Sequence, residues 1–425
     1  MIRERNTLVF ILLLFASFAQ AITIFVPKDQ PTIQNAIHVA SNGDEVIVST
    51  GVYQETIAFN GKNIILRSIN PADKDIVRTT IIDGGAKDSV ITLTGSENET
   101  CVLSGFTITN GNSVNGGGIN GNGSKATIEY CFIIANSSTS LSANVSGGGI
   151  HGINGIIQYN TIRGNSVETL SGSRVAASGG AISNSNGIIR NNAITNNFAY
   201  APSASASGGG LAYCDGLIEN NIIANNVVSA AWSTFGGGLA YCSGYIINNT
   251  IVYNELRSKT GLATYQKGSG LYFCQGKIKN SIIWKNLNAH QIMATSIPSY
   301  SCIEGGLAGI GSVNEQPKFI SLLNQDFRLS AGSPCINAGD NKDAPRIDFT
   351  GTSRVLEVDI GAYEWTSLPL VIWSSSQVNN RTAQLKGQIN PNGNVTEYYF
   401  ESVSYTHLRA HETRHDLVCR LLLEK

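Results

Sequence analysis

Four aromatic residues, Tyr200, Trp232, Phe235 and Tyr265, stand in variable segments of the chain, with Arg257 and Lys259 among their charged neighbours. This combination suits sugars. An aromatic face stacks on a pyranose ring while hydrogen-bonding neighbours fix its orientation. The competing reading is that the rings fold back and bury themselves, as large aromatics usually do. Acid–base chemistry is poorly provided for. Glu129, Asp215 and Glu219 have no carboxylate partner at a fixed offset, and general acid–base catalysis needs titratable groups in reach of one bond. His151 reads as a solitary surface or turn histidine. Asp340, Asp343, Asp348 and Asp359 cluster in sequence but match no EF-hand spacing. In Gly/Pro-rich segments Asp is usually a turn residue. No catalytic residue, metal site or cofactor is assigned on these grounds.

The elements that must carry these side chains announce themselves by repetition. G-G-G-(I/L) followed by I-x-x-N begins at Gly116, Gly147, Gly179, Gly208, Gly236 and Gly268, spaced by 31, 32, 29, 28 and 32 residues. A period of this size marks a solenoid, in which each copy adds one unit to a stack. Within each copy one isoleucine column is Ile157, Ile189, Ile218, Ile246 and Ile278. A second is Ile162, Ile194, Ile223, Ile251 and Ile283. The columns lie five apart, so on one straight strand they would face opposite ways. Both should face inward, so the chain must bend between them. The natural bend is the column Asn160, Asn192, Asn221 and Asn249, because Asn tolerates the left-handed conformation. Asn165, Asn197, Asn226, Asn254 and Asn286 read as a second turn of the same kind. Stacked in register, such amides can hydrogen-bond up the rod as a ladder. Cys214, Cys242 and Cys274 form a further column and read as small buried thiols.

The chain of 425 residues has a net charge of −1, which supports no nucleic-acid role. Residues 1–21 read as a signal peptide: Arg3 and Arg5, an apolar run from Leu8 to Phe18, then Ala19-Gln20-Ala21. Residues 22–60 read as an N-terminal cap and first coil, with a helix over Ile33–Ala40 after a Thr32 cap. Residues 61–286 are the repeats. Between them, segments 137–145, 166–177, 198–207, 227–235 and 255–267 read as loops forming a ridge along one edge. Residues 287–365 read as final coils and a closing cap. Over 22–365 this predicts roughly eleven coils in a rod on the order of 50 Å long. Residues 366–402 alternate like the first strands of a truncated β-sandwich. Residues 403–425 break the composition and resemble a translated sequencing adapter, so the natural chain is expected to continue past Ser402. His407, His411, His415 and Cys419 are set aside with that tail.

TIQNAIHVASNGDEVIVSTGVYQETI, the GGGI and I-x-x-N units, and PKFIS…DFRLSAGSPCINAGD…DIGAYE together resemble the right-handed parallel β-helix proteins of the pectin-lyase-like superfamily. The repeats are also similar to those of polymorphic outer-membrane proteins. The C-terminal coil is similar to that of exported proteins with a variable surface anchor, and 366–402 looks like the opening of a fibronectin type III-like domain. The resemblance implies an all-β right-handed solenoid. It leaves function open, since the fold hosts lyases, hydrolases, esterases and adhesins. Motifs of the enzymes on this fold, such as G-H-G, an Asp-Asp pair, R-x-P-x-x-R and W-I-D-H, are absent. The expectation is a secreted or cell-surface monomer without a transmembrane segment. It would bind polysaccharide or a cell-surface glycan through the ridge without catalysis. The alternative is a divergent polysaccharide lyase or hydrolase using Lys259 or Arg257 as base.

Overall fold

The two isoleucine columns do face one interior from different sheets. Ile157 sits in Ile156–Gln158 and Ile162 in Thr161–Arg163; they are 1% and 0% exposed. The computed structural model describes residues 20–366 except 171, 173, 260–264, 307–308 and 355–356. It also gives the backbone of four later strands, Leu370–Val378, Ala383–Asn390, Tyr398–Val403 and Val418–Leu423. Within it the chain winds a parallel β-helix of about eight coils of about 29 residues.

Three parallel sheets wall the rod. The first runs from Thr23–Val26 to Ile278–Lys279, the second from Gly51–Tyr53 to Cys302–Ile303, and the third from Ile57–Ala58 to Ile292–Met293. Register is strict between coils. Ile157 pairs with Ile189, Ile189 with Ile218 and Ile218 with Ile246. Like side chains therefore stack on like, and the interior is one continuous apolar column. Near the start, Ile33–Val39 forms a helix (α1) with Thr32 Oγ1 accepting from Asn35 N at 3.1 Å. Its buried Ile33, Ala36 and Ile37 pack against the first strands. A second short helix, Lys74–Thr79, was not foreseen; Asp73 caps it.

The asparagines occupy the corners differently from the sequence reading. Left-handed backbone falls one residue earlier, on Tyr159, Asn191, Asn220 and Asn248 at the first corner, with φ between 52° and 55°. At the second corner it falls on Gly164, Asn196, Asn225, Tyr253 and Lys285. The left-handed residue points outward, and the next asparagine points into the rod. Asn160 Nδ2 donates to Asn192 Oδ1 at 3.0 Å, and Asn192, Asn221 and Asn249 continue the chain to Ser281. Asn165, Asn197, Asn226, Asn254 and Asn286 form the second ladder at 2.9–3.0 Å. Each amide also closes backbone groups that the corner leaves unpaired. Asn226 Nδ2 donates to Ile194 O at 2.9 Å, and Asn226 Oδ1 accepts from Asn197 N at 3.0 Å. Buried backbone groups must find such partners.

Two further departures matter for the site. The segments read as loops are strands. Asn112–Ser113, Ser137–Ser140, Ser166–Thr169, Phe198–Ala201, Val227–Ala230 and Glu255–Ser258 stack into a six-stranded sheet. Val145–Ser146, Ala177–Ser178, Ala206–Ser207, Thr234–Phe235 and Gln266–Lys267 stack into a five-stranded one. The two sheets close on a small core that includes Val167, Ala199, Ala201, Ala206, Val228 and Leu256, making a fin that projects from the rod. Small side chains let the sheets approach closely.

The rod is also shorter than the eleven coils expected, because residues after Ile303 leave the stack and fold back along the outside of the second sheet. Phe327, Leu329, Cys335, Ile360 and Ala362 cover the outward-facing Ile222, Val252, Ile282 and Trp284 in a second core. The left-handed asparagines hold this strap. Asn191 donates to Asp348 O (2.8 Å), Asn220 to Ile347 O (2.7 Å), Asn248 to Asp359 O (3.0 Å) and Asn280 to Asp340 O (2.9 Å). Beyond the strap, Leu370–Val378 pairs antiparallel with Ala383–Asn390, and Tyr398–Val403 with Val418–Leu423.

Candidate ligand-binding groove

Each glycine triplet makes the sharp corner between the fin and the third sheet. The first glycine is left-handed (Gly208, φ +60°), and a Cβ there would meet Leu211 O at 2.2 Å. The second abuts the fin: a Cβ on Gly209 would lie 2.7 Å from Gly237 O and 2.8 Å from Val227 N. The third lies against the isoleucine column: a Cβ on Gly210 would lie 3.1 Å from Ile223 Cγ2. The corner is tight enough to bring the residue before the triplet onto the one after its Ile/Leu. Ser146 thus reaches His151, and Phe235 meets Tyr241 edge-on at 6.3 Å. Repeated up the rod, these positions line a groove between fin and body.

The early part of the groove is polar. His151 Nδ1 lies 2.9 Å from Ser146 Oγ and 2.9 Å from Ser183 Oγ, and Ser146 Oγ donates to Asn115 Oδ1 at 2.8 Å. His151 is therefore neither solitary nor partnerless. Burial lowers its pKa and keeps it neutral. The arrangement is not that of a nucleophile and base. Ser146 Oγ is engaged with Asn115 Oδ1, and His151 Nδ1 is shared between the Ser146 and Ser183 hydroxyls. The triplet's N–H groups are not free to hold an oxyanion, because they bond the next coil: Gly147 to Ser178 O, Gly148 to Gly179 O and Gly149 to Ala181 O.

The later part is aromatic. Tyr213 and Tyr241 stack with centroids 5.0 Å apart, and Phe235 stacks on Tyr272 at 4.6 Å. Tyr241 meets Tyr272 edge-on at 5.4 Å and Phe273 at 5.8 Å. Tyr213 and Phe273 stay 41% and 46% exposed. Tyr213, Tyr241 and Phe273 all have φ between 50° and 55°, whereas the same corner one coil earlier carries Asn184. A bulky residue in that region is disfavoured by roughly 1–2 kcal/mol. The rings are thus placed against local preference. Burial, with Tyr213 and Tyr272 alongside, pushes the Tyr241 hydroxyl up to about 12, so it stays neutral. Burial raises the Tyr213 pKa, with the nearby Ser207 and Ser178 opposing it.

The six residues predicted for binding do not converge. Tyr200 and Arg257 lie on the six-stranded sheet of the fin, Tyr200 stacked on Phe198 at 5.7 Å and Arg257 paired with Glu255 at 2.7 Å. That hydrogen bond raises the Arg257 pKa, which removes it as a base. Lys259, Trp232 and Tyr265 project at the fin tip, the two rings 52% and 49% exposed. Phe235 alone joins the groove. Its companions Tyr213, Tyr241, Tyr272 and Phe273 were missed, although Tyr or Phe just before the cysteine of GGGLAYC, GGGLAYC and GSGLYFC was visible at 213, 241 and 273.

Elsewhere the acidic groups are structural. A cleft of about 490 Å³ beyond the last rung contains Glu304, which accepts from Lys285 N and Gln291 Nε2. A second, of about 340 Å³, contains Glu55, which accepts from Ile33 N and Gln34 N, and Asp83, which accepts from Gly85 N. Asp340 and Asp343 pair with Lys279 and Lys277, while Asp348 and Asp359 hold turns of the strap. No cluster of three metal-ligating side chains occurs among the described residues, and no described helix is long and apolar enough to cross a membrane. The chain matches no family model, no curated protein and no solved structure.

Proposed function

We propose that this chain is an exported β-helix protein that binds an extended glycan without transforming it, using the groove at the glycine corners. One observation carries the reading: five aromatic rings from three coils crowd this corner, three of them on a disfavoured backbone, and they continue a row of serine, asparagine and histidine. Stacking faces beside hydroxyl and amide partners are the chemistry that sugars need. The row climbs parallel to the rod axis at about 4.8 Å per coil, which suits a linear polymer. Export is supported by the basic, apolar and small-residue pattern of residues 1–21, which lie almost wholly outside the described structure. The pectin-lyase-like resemblance favours a polysaccharide ligand, and the fibronectin type III-like strands after residue 369 favour a surface context.

An array of neutral and acidic polysaccharides tests the proposal. Binding by the wild type that is lost in Tyr241→Ala supports it; no binding to any polysaccharide contradicts it. Unsaturated products from uronate polymers would instead establish a lyase.

A further inference from the structure

The corner that follows the third sheet carries one left-handed residue per coil: Asn122, Gly152, Asn184, Tyr213, Tyr241 and Phe273, in order up the rod. Rings fill only its upper half. Tyr213 and Tyr241 lie parallel to within 3°, with centroids 5.0 Å apart. That separation is close to the coil spacing of about 4.8 Å, so the rings lie across the rod axis and each turns one face up and one face down. Tyr241 takes the upper face of Tyr213. The lower face meets no ring. The next coil down holds Asn184, whose neighbour Ser183 pairs with Ala212, and the coil below that holds Gly152, which brings no side chain. Tyr213 is 41% exposed. Asn184 is exposed too, and its amide makes no hydrogen bond to any described residue. The first corner shows the contrast. There Tyr130 and Tyr159 stack at 5.1 Å, and the asparagine that follows them, Asn191, is buried and bonded to Asp348 O of the strap. The stack at the groove is left open at its end.

We infer that this notch, bounded by the open face of Tyr213 and by Asn184, seats one uncharged sugar ring, so that the groove takes a neutral glycan and not a uronate polymer. The inference rests on the glycan reading of the groove and names its ligand class. A pyranose presents a face of C–H groups to an aromatic ring and a rim of hydroxyls to amides. The notch supplies both partners: the Tyr213 ring above, and Asn184, whose amide donates and accepts. Charge decides the class. Beside the notch stand Asn120, His151 and Ser183 on the third sheet, and Ser146 and Ser178 on the fin. None is a cation at neutral pH, since burial lowers the His151 pKa. A carboxylate drawn into this corner would lose hydration with no arginine or lysine to pair with it, which is costly. Up the rod the two columns continue as Ser207, Phe235 and Lys267 against Ala212, Ala240 and Tyr272. Lys267 is the one charged residue among these, and it stands three coils above Asn184. Asp215, exposed and two residues past Tyr213, carries the sign that repels a uronate.

Asn184→Tyr tests the notch by filling it. The variant extends the stack by one ring on a backbone of φ 48°, where the next two coils already hold tyrosine at 55°. The fold and melting temperature are therefore expected to persist. Calorimetry would use neutral polymers (β-glucan, mannan, galactan and xylan) and uronate polymers (polygalacturonate and alginate). The expected result is binding of a neutral polymer, weakened at least about tenfold in Asn184→Tyr. That binding should be unchanged between about 0.05 M and about 0.5 M salt, because no charge takes part in it. Equal affinity of wild type and Asn184→Tyr would overturn the inference, as would preferential binding of a uronate polymer. The glycan reading stands or falls separately. Loss of binding in Tyr241→Ala with none in Asn184→Tyr keeps the groove and removes the notch, whereas no binding to any polymer removes both. If Asn184→Tyr folds poorly, Asn184→Ala decides: a loss of about threefold or more is expected, and unchanged affinity overturns the inference.

Discussion

At the scale of single residues, the corners rest on pairs of positions with opposite duties. In Asn225-Asn226 the first residue takes φ 57° and points out, while the second is buried and makes four hydrogen bonds with Asn197, Asn254 and Ile194. Asn226→Ala leaves several of these partners unsatisfied in a dry interior. It is expected to destabilise by about 2–4 kcal/mol, given roughly 1–3 kcal/mol for each stranded buried group. Asn225→Ala should cost less, about 1 kcal/mol, through backbone preference and the loss of one exposed hydrogen bond to Gln325 Oε1. Thermal or denaturant midpoints of the two variants check the order. The ladder was legible in the sequence because its period is the coil itself. The assignment of left-handed backbone slipped by one position because Asn-Asn doublets fit either register. Copies with another residue in the outward place, Tyr159-Asn160, Gly164-Asn165, Tyr253-Asn254 and Lys285-Asn286, break the tie.

At the scale of elements, the glycine triplet, the fin and the strap each answer to a neighbour that composition does not name. Gly209→Ala would place a methyl 2.7 Å from Gly237 O and 2.8 Å from Val227 N. Both atoms belong to backbone that cannot yield without moving a coil. The variant is expected to lose about 2–3 kcal/mol, read as a lowered melting temperature or loss of soluble protein. The fin was illegible because its strands are two to four residues long and built from Ser, Ala, Thr and Val, with little apolar contrast between faces. A signal did exist. Phe198-Ala199-Tyr200-Ala201 and Val227-Val228-Ser229-Ala230 turn only Ala or Val to the buried side. The strap left a trace too: outward positions of the second sheet are apolar beneath it, at Ile222, Val252, Ile282 and Trp284.

At the scale of the whole molecule, the strap makes the rod's stability depend on pH. Arg354 and Glu364 pair at 2.8 Å with side chains 1% and 4% exposed, beside Asp359. Burial, with the Asp359 charge adding to it, pushes Glu364 up to about 7, and burial also raises Asp359. A carboxyl whose folded pKa is raised favours the native state most below its unfolded pKa. That contribution fades as pH rises through about 7. Stability should therefore fall by roughly 1–3 kcal/mol between pH 4.5 and pH 8 on account of this site. Glu364→Gln should flatten that slope in guanidinium melts at the two pH values. A rod with a fin and a covering strap leaves the glycine corner as the place where the exposed Tyr213 and Phe273 stand beside half-buried rings and polar side chains. Calorimetry with the polysaccharide that binds best, comparing wild type, Tyr241→Ala and Trp232→Ala, tests this most directly. A groove-bound chain predicts at least about a tenfold loss of affinity in Tyr241→Ala, near 1.4 kcal/mol, and little change in Trp232→Ala. Unchanged affinity in Tyr241→Ala with loss in Trp232→Ala would contradict it and move the site to the tip of the fin.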